Sequence, residues 1–296
     1  MPIIIDGKSI SAQILSELKV KGSQLEAQHG VRPGLAVLLV GDNPASETYV
    51  RNKIKACEEV GFHSVVERLS DFVGEENVLE RIHNWNESKE IHGILVQLPL
   101  PKQIDEQKIL LAISPCKDVD GFHPENIGRL LLGMPGFLPC TPAGIMEILK
   151  RTKIQVSGKH VVIVGRSNIV GKPLANLLYQ KTEEANAVVT ICHTGATNLK
   201  HYTQQADVLI VAVGAPHLIL ADDVKPGSVV IDVGTNRVPD PTSKTGFKLV
   251  GDVDFEGVKN KTYAITPVPG GVGPMTIAML MQNTYLSAEG KVFNKY

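Results

Sequence analysis

The stretch Glu47–Gly61, ETYVRNKIKACEEVG, carries a lysine where an amphipathic helix does not ordinarily put one. At about 100° per residue, Val50, Ile54, Ala56, Cys57 and Val60 gather on one arc. Arg51, Asn52, Lys55, Glu58 and Glu59 gather on the other. Lys53 falls inside the apolar arc, with Tyr49 one turn before it. An ammonium there loses water and is rarely found without a partner, so it either reaches out to the rim or serves a site. Two other residues could belong to that site. Gln97 closes the apolar run GILVQ, and its amide both donates and accepts. Asp120 lies in KDVDGFHP, between a strand-like segment and a proline. Taken singly, either is equally a turn or capping residue. An EF-hand reading of DVDG fails, because aligning Gly121 as the invariant glycine leaves Cys116 and Ile127 as the end ligands.

Phosphate chemistry is offered by VVIVGRSNIVGKP. A P-loop is excluded: five residues separate Gly165 from Gly171, and Pro173 stands where a magnesium-binding hydroxyl is needed. A dinucleotide-binding turn remains, in which a strand ends in glycine and a helix N-terminus meets the pyrophosphate. Ser167 replaces the middle glycine of that fingerprint, so the strand–turn–helix context is its main support. NAD sites place an acid at the end of the next strand, where it would repel a 2′-phosphate. Here that end reads TICHTGAT, with His193 and Thr194 and no acid, and Arg166 can supply positive charge. NADP is the physical choice. The loop PVPGGVGP, Pro267–Pro274, joins rigid prolines to glycines that let backbone approach a flat ligand, although a structural turn uses the same residues.

The elements that must hold these groups alternate short apolar runs with helical patterns, which predicts an α/β protein with mostly parallel strands. GLAVLLVG, SVVERL and IHGILVQLPLP read as strands around the Lys53 helix and a second helix, EENVLERIHNWNES. CTPAGIMEILKRT starts another helix, with Thr141 as its cap and Pro142 at its first position. AVVTICH, DVLIVAVG and GSVVIDVG supply further buried strands, and the glycine-rich segment near the end runs into a last helix. These place a domain change near Met146. The first domain is expected to comprise 1–145 plus 271–296, and the second 146–270.

With 30 basic and 31 acidic residues, no bulk charge favours nucleic acid or an anionic membrane. The N-terminus reaches Asp6 too soon for a signal-peptide core, and no apolar run approaches a membrane span. The four cysteines stand singly, which suggests reduced packing residues in a cytoplasmic protein and neither a zinc site nor a disulfide framework. No metal is expected.

YVRNK, GILVQLPLP, DVDGFHPEN, PCTPAGIM, GRSNIVGKP and TPVPGGVGPMT together resemble the bifunctional methylenetetrahydrofolate dehydrogenase/methenyltetrahydrofolate cyclohydrolase family. The match runs in order from about Ile4 to Ser287. It implies an N-terminal α/β catalytic domain, a Rossmann-type NADP-binding domain, a cleft between them and a homodimer formed through the NADP domains. It implies tetrahydrofolate derivatives as substrates in one-carbon metabolism. Carried over position by position, the catalytic lysine falls on Lys53, its partner tyrosine on Tyr49, the glutamine that bonds the lysine on Gln97, and the pterin-binding aspartate on Asp120. The substrate loop falls on Pro269, Gly270 and Gly273, and the NADP contacts on Gly165, Arg166, Ser167, Thr194 and Thr235. Thr194 stands where many relatives have serine, so a hydroxyl survives, and VPDPTSKTGF reads as an enlarged surface turn. Two rivals remain: another two-domain NADP-dependent dehydrogenase, and a catalytically silent NADP-sensing module.

Overall fold

A computed structural model of the chain describes residues 1–243 and 246–293, the side chains at 44 and 45 excepted. Its elements run β1 (Ile3–Ile4), α1 (Gly7–His29), β2 (Gly34–Val40), α2 (Pro44–Val60), β3 (His63–Leu69), α3 (Glu75–Glu87) and β4 (Gly93–Val96). Then come α4 (Glu106–Ala112), α5 (Pro124–Leu131), α6 (Cys140–Arg151), β5 (His160–Val164), α7 (Gly171–Leu178), β6 (Val188–Cys192), α8 (Leu199–Thr203) and β7 (Val208–Val211). The chain ends with β8 (Val229–Asp232), β9 (Asn236–Pro239), β10 (Phe247–Val250), α9 (Phe255–Val258), β11 (Ala264–Ile265) and α10 (Val272–Glu289).

These elements form two compact units. The lysine unit comprises Ala12–Cys140 and Ile277–Tyr296; the glycine-turn unit comprises Met1–Ser11 and Thr141–Thr276. This division differs from the one expected at 146 and 270, most of all at the start of the chain. Residues Met1–Ser11 group with the glycine-turn unit because β1 extends its sheet, Ile3 opposite Ala264 and Ile4 opposite Ile265. The chain passes from one unit to the other inside α1, α6 and α10, with no linker at any of the three points.

In the lysine unit β2 lies between β3 and β4, all parallel. Every residue of β2 is buried, as a central parallel strand covered on both faces requires. Ala36, Leu38 and Val40 pack with Ile94 and Val96 against Val78, Ile82 and Trp85 of α3. Each of the Val, Leu and Ile side chains stabilises the core by about 1.5–3 kcal/mol relative to exposure. Strand β4 therefore sits on a rigid base, and the residue after it, Gln97, is aimed from a fixed point.

The glycine-turn unit holds a six-stranded parallel sheet in the order β1-β11-β8-β7-β5-β6. From β5 the chain goes outward to β6, then returns past β5 to β7 and β8, so the order reverses between β5 and β7. A separate antiparallel pair, β9 and β10, occupies the segment expected to be an enlarged turn, whose tip lies outside the described residues. The expected cap at Thr141 is corrected: α6 already begins at Cys140. The Thr141 hydroxyl is used instead against the Thr276 hydroxyl, at 3.1 Å.

Candidate active site

Helix α2 presents the expected faces: Val50, Ala56, Cys57 and Val60 are buried, while Ile54 and Lys53 are half-buried. Cys57, one turn past Lys53, sets its Sγ 3.5 Å from the Met281 sulfur, and burial pushes its thiol up to about 12, with Glu58 adding to the effect. Lys53 Nζ donates to Gln97 Oε1 at 3.1 Å. Gln97 is itself pinned: its backbone N–H donates to Leu38 O at 2.9 Å, and its Nε2 donates to Leu98 O at 2.8 Å. With the amide nitrogen so occupied, the oxygen is turned toward the lysine. Tyr49 stands half exposed on the same helix.

Asp120 lies in the loop ahead of α5, and its neighbour two residues back holds that loop in shape. Asp118 is buried and accepts from Phe122 N at 3.3 Å, His123 N at 2.8 Å and Asn126 Nδ2 at 2.9 Å. Burial pushes Asp118 up to about 6, and the donors from Asn126 and His123 oppose the rise. Gly121 has φ 76°, and a Cβ there would come 2.6 Å from the Leu138 carbonyl carbon, so only glycine lets the loop close. Cys140, the first residue of α6, is fully buried. Burial raises its thiol far above the ordinary value, Asp120 adds to the rise, and Lys53 opposes it. Its sulfur bonds Val119 O at 3.3 Å and receives Asn283 Nδ2 of α10 at 3.8 Å. Lys53 and Asp120 thus both act on one buried sulfur, and Gln97 joins them through its bond to Lys53. Sequence reasoning took Cys140 as a packing residue and gave no role to Asp118 or Asn283. The only signal was that DVDG offers two carboxylates, of which one is buried and the other half-buried.

Pro269, Gly270 and Gly273 belong to the glycine-turn unit, apart from Lys53 in the division of the chain. Their loop is pinned to the start of α1: Lys8 N donates to Gly270 O at 3.0 Å, and a Cβ on Gly7 would come 1.9 Å from Gly271 O.

At the end of β5, Gly165 has φ 129°, and a Cβ there would lie 2.3 Å from Ala212 O. Gly171 is equally constrained, since its Cβ would fall 2.2 Å from Gly165 O. Ser167, in the place of a fingerprint glycine, accepts from Val170 N at 3.1 Å and Gly171 N at 3.4 Å and so closes the turn that leads into α7. Exposed Arg166 reaches across to His193 at the end of β6, Nη1 to Nε2 3.4 Å, with exposed Thr194 beside it. Thr235 is exposed beyond the end of β8. Charge and hydroxyl without a carboxylate fit a 2′-phosphate better than a free ribose. Among the described residues, no group of three or more His, Cys, Asp or Glu is placed to hold a metal, and no helix is long and apolar enough to cross a membrane.

A parallel sheet with a glycine turn at its reversal point, in one chain with a parallel unit that carries a half-buried lysine bonded to a glutamine, defines a nucleotide-dependent two-unit α/β enzyme. Residues 5–120 match the catalytic domain of tetrahydrofolate dehydrogenase/cyclohydrolase, and residues 139–292 match the NAD(P)-binding domain of the same family. The chain is 56% identical over 289 residues to the bifunctional protein FolD of Chlorobium limicola, covering 97% of this chain and 98% of that one. Among solved structures, the bifunctional FolD dehydrogenase/cyclohydrolase of Campylobacter jejuni is 51% identical with a TM-score of 0.92, covering 98% and 100%. The Trypanosoma brucei FolD, solved with NADP cofactor and inhibitor, is 38% identical with a TM-score of 0.93, covering 98% of each chain. The chain belongs to the tetrahydrofolate dehydrogenase/cyclohydrolase family.

Proposed function

We propose that this chain oxidises 5,10-methylenetetrahydrofolate with NADP⁺ and hydrolyses the product to 10-formyltetrahydrofolate, with Lys53, Gln97, Tyr49 and Asp120 as the folate site. The carrying observation is the Lys53 Nζ to Gln97 Oε1 bond of 3.1 Å at the end of β4. Bound NADP⁺ supplies the hydride acceptor, and the chain's own residues align the folate and exclude water from the bond being made. Gly165, Arg166, Ser167, Thr194 and Thr235 would hold the cofactor, while Pro269, Gly270 and Gly273 would line the folate. Asp120 accepts from the pterin amino group and ring N–H together, a fit suited to a carboxylate.

Hydrolysis begins when water attacks the amidinium carbon of the methenyl cation. Lys53 takes a proton from that water and returns it to N5 as the C–N5 bond breaks, and the remaining hydroxyl proton leaves to solvent. A lysine accepts a proton only as the free amine, and an amine still has N–H to donate to Gln97. The orienting bond therefore persists through the cycle.

The test mixes purified protein with methylenetetrahydrofolate and NADP⁺ and follows the methenyl absorbance as it rises and decays. Lys53→Met should abolish the decay while NADP⁺ binding persists; full hydrolysis in that variant would remove Lys53 from the mechanism. A silent nucleotide-sensing module would show no rise, and a dehydrogenase for another alcohol would reduce NADP⁺ only with that alcohol. The reading carries with it a cytoplasmic homodimer joined through the nucleotide units, and sedimentation at two chain masses checks the dimer.

A further inference from the structure

The strand order reverses between β5 and β7, and parallel α/β sheets bind dinucleotides at such a reversal. Arg166 and Thr194, at the ends of β5 and β6, mark the adenosine half. The other half must then face the ends of β7 and β8, where the backbone runs Val213–Gly214 and Val233–Thr235. What fixes that backbone is a pair of buried carboxylates. Asp232, the last residue of β8, accepts from Gly234 N and Asp252 N through Oδ1 and from Val253 N through Oδ2, each at 3.0 Å. Asp252 accepts from Val213 N at 2.7 Å and Gly214 N at 3.0 Å through Oδ2, and from Asn236 Nδ2 at 2.8 Å through Oδ1. The two are 2% and 0% exposed.

We propose that Asp232 and Asp252 are positioning residues for the nicotinamide half of the cofactor, a two-carboxylate clasp that sets the backbone beyond β7 and β8. The proposal rests on the reading of this unit as the NADP site. Three separate loops converge on the pair, and five of its six donors are backbone N–H groups. The glycines around it exist to let it in: a Cβ on Gly234 would lie 2.2 Å from Asp252 Cγ, and one on Gly251 would lie 1.7 Å from Asp232 Oδ2. Two carboxylates taken out of water side by side are costly, and a simple turn closes without them. Burial pushes Asp232 up to about 6, against the pull of its N–H donors. The arrangement makes sense where loop position must be held within a fraction of an ångström, as hydride transfer demands.

The discriminating measurement compares two ligands in Asp252→Asn. Its amide turns a donor toward N–H groups or an oxygen toward only some of them, which loosens the β7 loop. NADP⁺ affinity should fall about tenfold or more, the worth of one charge-assisted hydrogen bond. Affinity for adenosine 2′,5′-bisphosphate, which lacks the nicotinamide half, should stay within about twofold, and hydrolysis of added methenyltetrahydrofolate should persist. Equal losses for both ligands, or no loss for either, would overturn the clasp and leave Asp252 a purely structural residue. If Asp252→Asn does not fold, Asn236→Leu removes one donor and should show the same split at about threefold, with the same overturning results. Wild-type protein that binds neither ligand would refute the nucleotide reading itself, and the clasp with it.

Discussion

Gln97 shows how one amide decides what a lysine can do. Its Nε2 is committed to Leu98 O, so Oε1 is the only group it offers to Lys53. A neutral acceptor favours the charged form of an amine less than a carboxylate at the same distance would. Gln97→Glu should therefore keep Lys53 in place but require a higher pH for hydrolysis, moving the acidic limb of the rate profile upward. Gln97→Leu removes the acceptor, and hydrolysis should fall about 10²–10⁴-fold at every pH. NADP⁺ affinity should be unchanged in both. Identical pH profiles for Gln97→Glu and wild type would show that the amide does not govern the lysine. Lys53 was legible in the sequence because helical periodicity exposes a charge on an apolar arc. Cys140 was not, since a buried thiol under a site and one in any core look alike until the neighbours are known.

At the scale of elements, strand β5, the turn and α7 work as one piece. Ser167 closes the turn ahead of α7 with its hydroxyl where the fingerprint would have glycine, which explains how the turn tolerates the replacement. Ser167→Ala should lower stability by about 1 kcal/mol, the worth of one such local hydrogen bond, read as a fall in the thermal midpoint, and Ser167→Asn should restore most of it. Equal midpoints for Ser167→Ala and wild type would show that the hydroxyl does not hold the turn. The buried parallel strands were legible because such strands read as unbroken apolar runs. Helix α1 went unread, although its signals were present. Asp6 Oδ1 accepts from Ser9 N at 2.9 Å as its cap, and Ile10, Ile14, Leu18 and Leu25 follow at helical spacing and are buried. Strand β1 was beyond reach: two residues long, it is specified by β11, far along the chain. The unit boundaries were equally hidden, because a crossing inside a continuous helix leaves no proline, glycine or polar linker to read.

For the whole molecule, buried carboxylates set how stability responds to acid. Burial lifts both Asp118 and Asp232 from an ordinary 3.8 to about 6. Between about pH 4 and 6 the folded chain therefore binds more protons than the unfolded chain at these two positions. By linkage their contribution to stability falls as pH rises through that window, at about 1.4 kcal/mol per pH unit for each group at most. Glu75, Asp207 and Asp240, whose partners hold them below the ordinary value, act the other way, and their stability is lost only as pH falls below about 4. His92, lowered by burial and by Lys117, also opposes the trend, because below its ordinary value the unfolded chain takes up a proton there that the folded chain resists. The difference between wild type and Asp118→Asn cancels these other groups. Trp85, the single tryptophan, is buried in the lysine unit with Asp118 and reports its unfolding. Urea unfolding followed by Trp85 fluorescence between pH 4.5 and 6 should give a wild-type stability that declines with pH more steeply than that of Asp118→Asn, although the variant is weaker throughout. The missing slope should approach one proton near pH 5. Parallel curves would mean that Asp118 is ionised throughout the window, its donors having outweighed its burial.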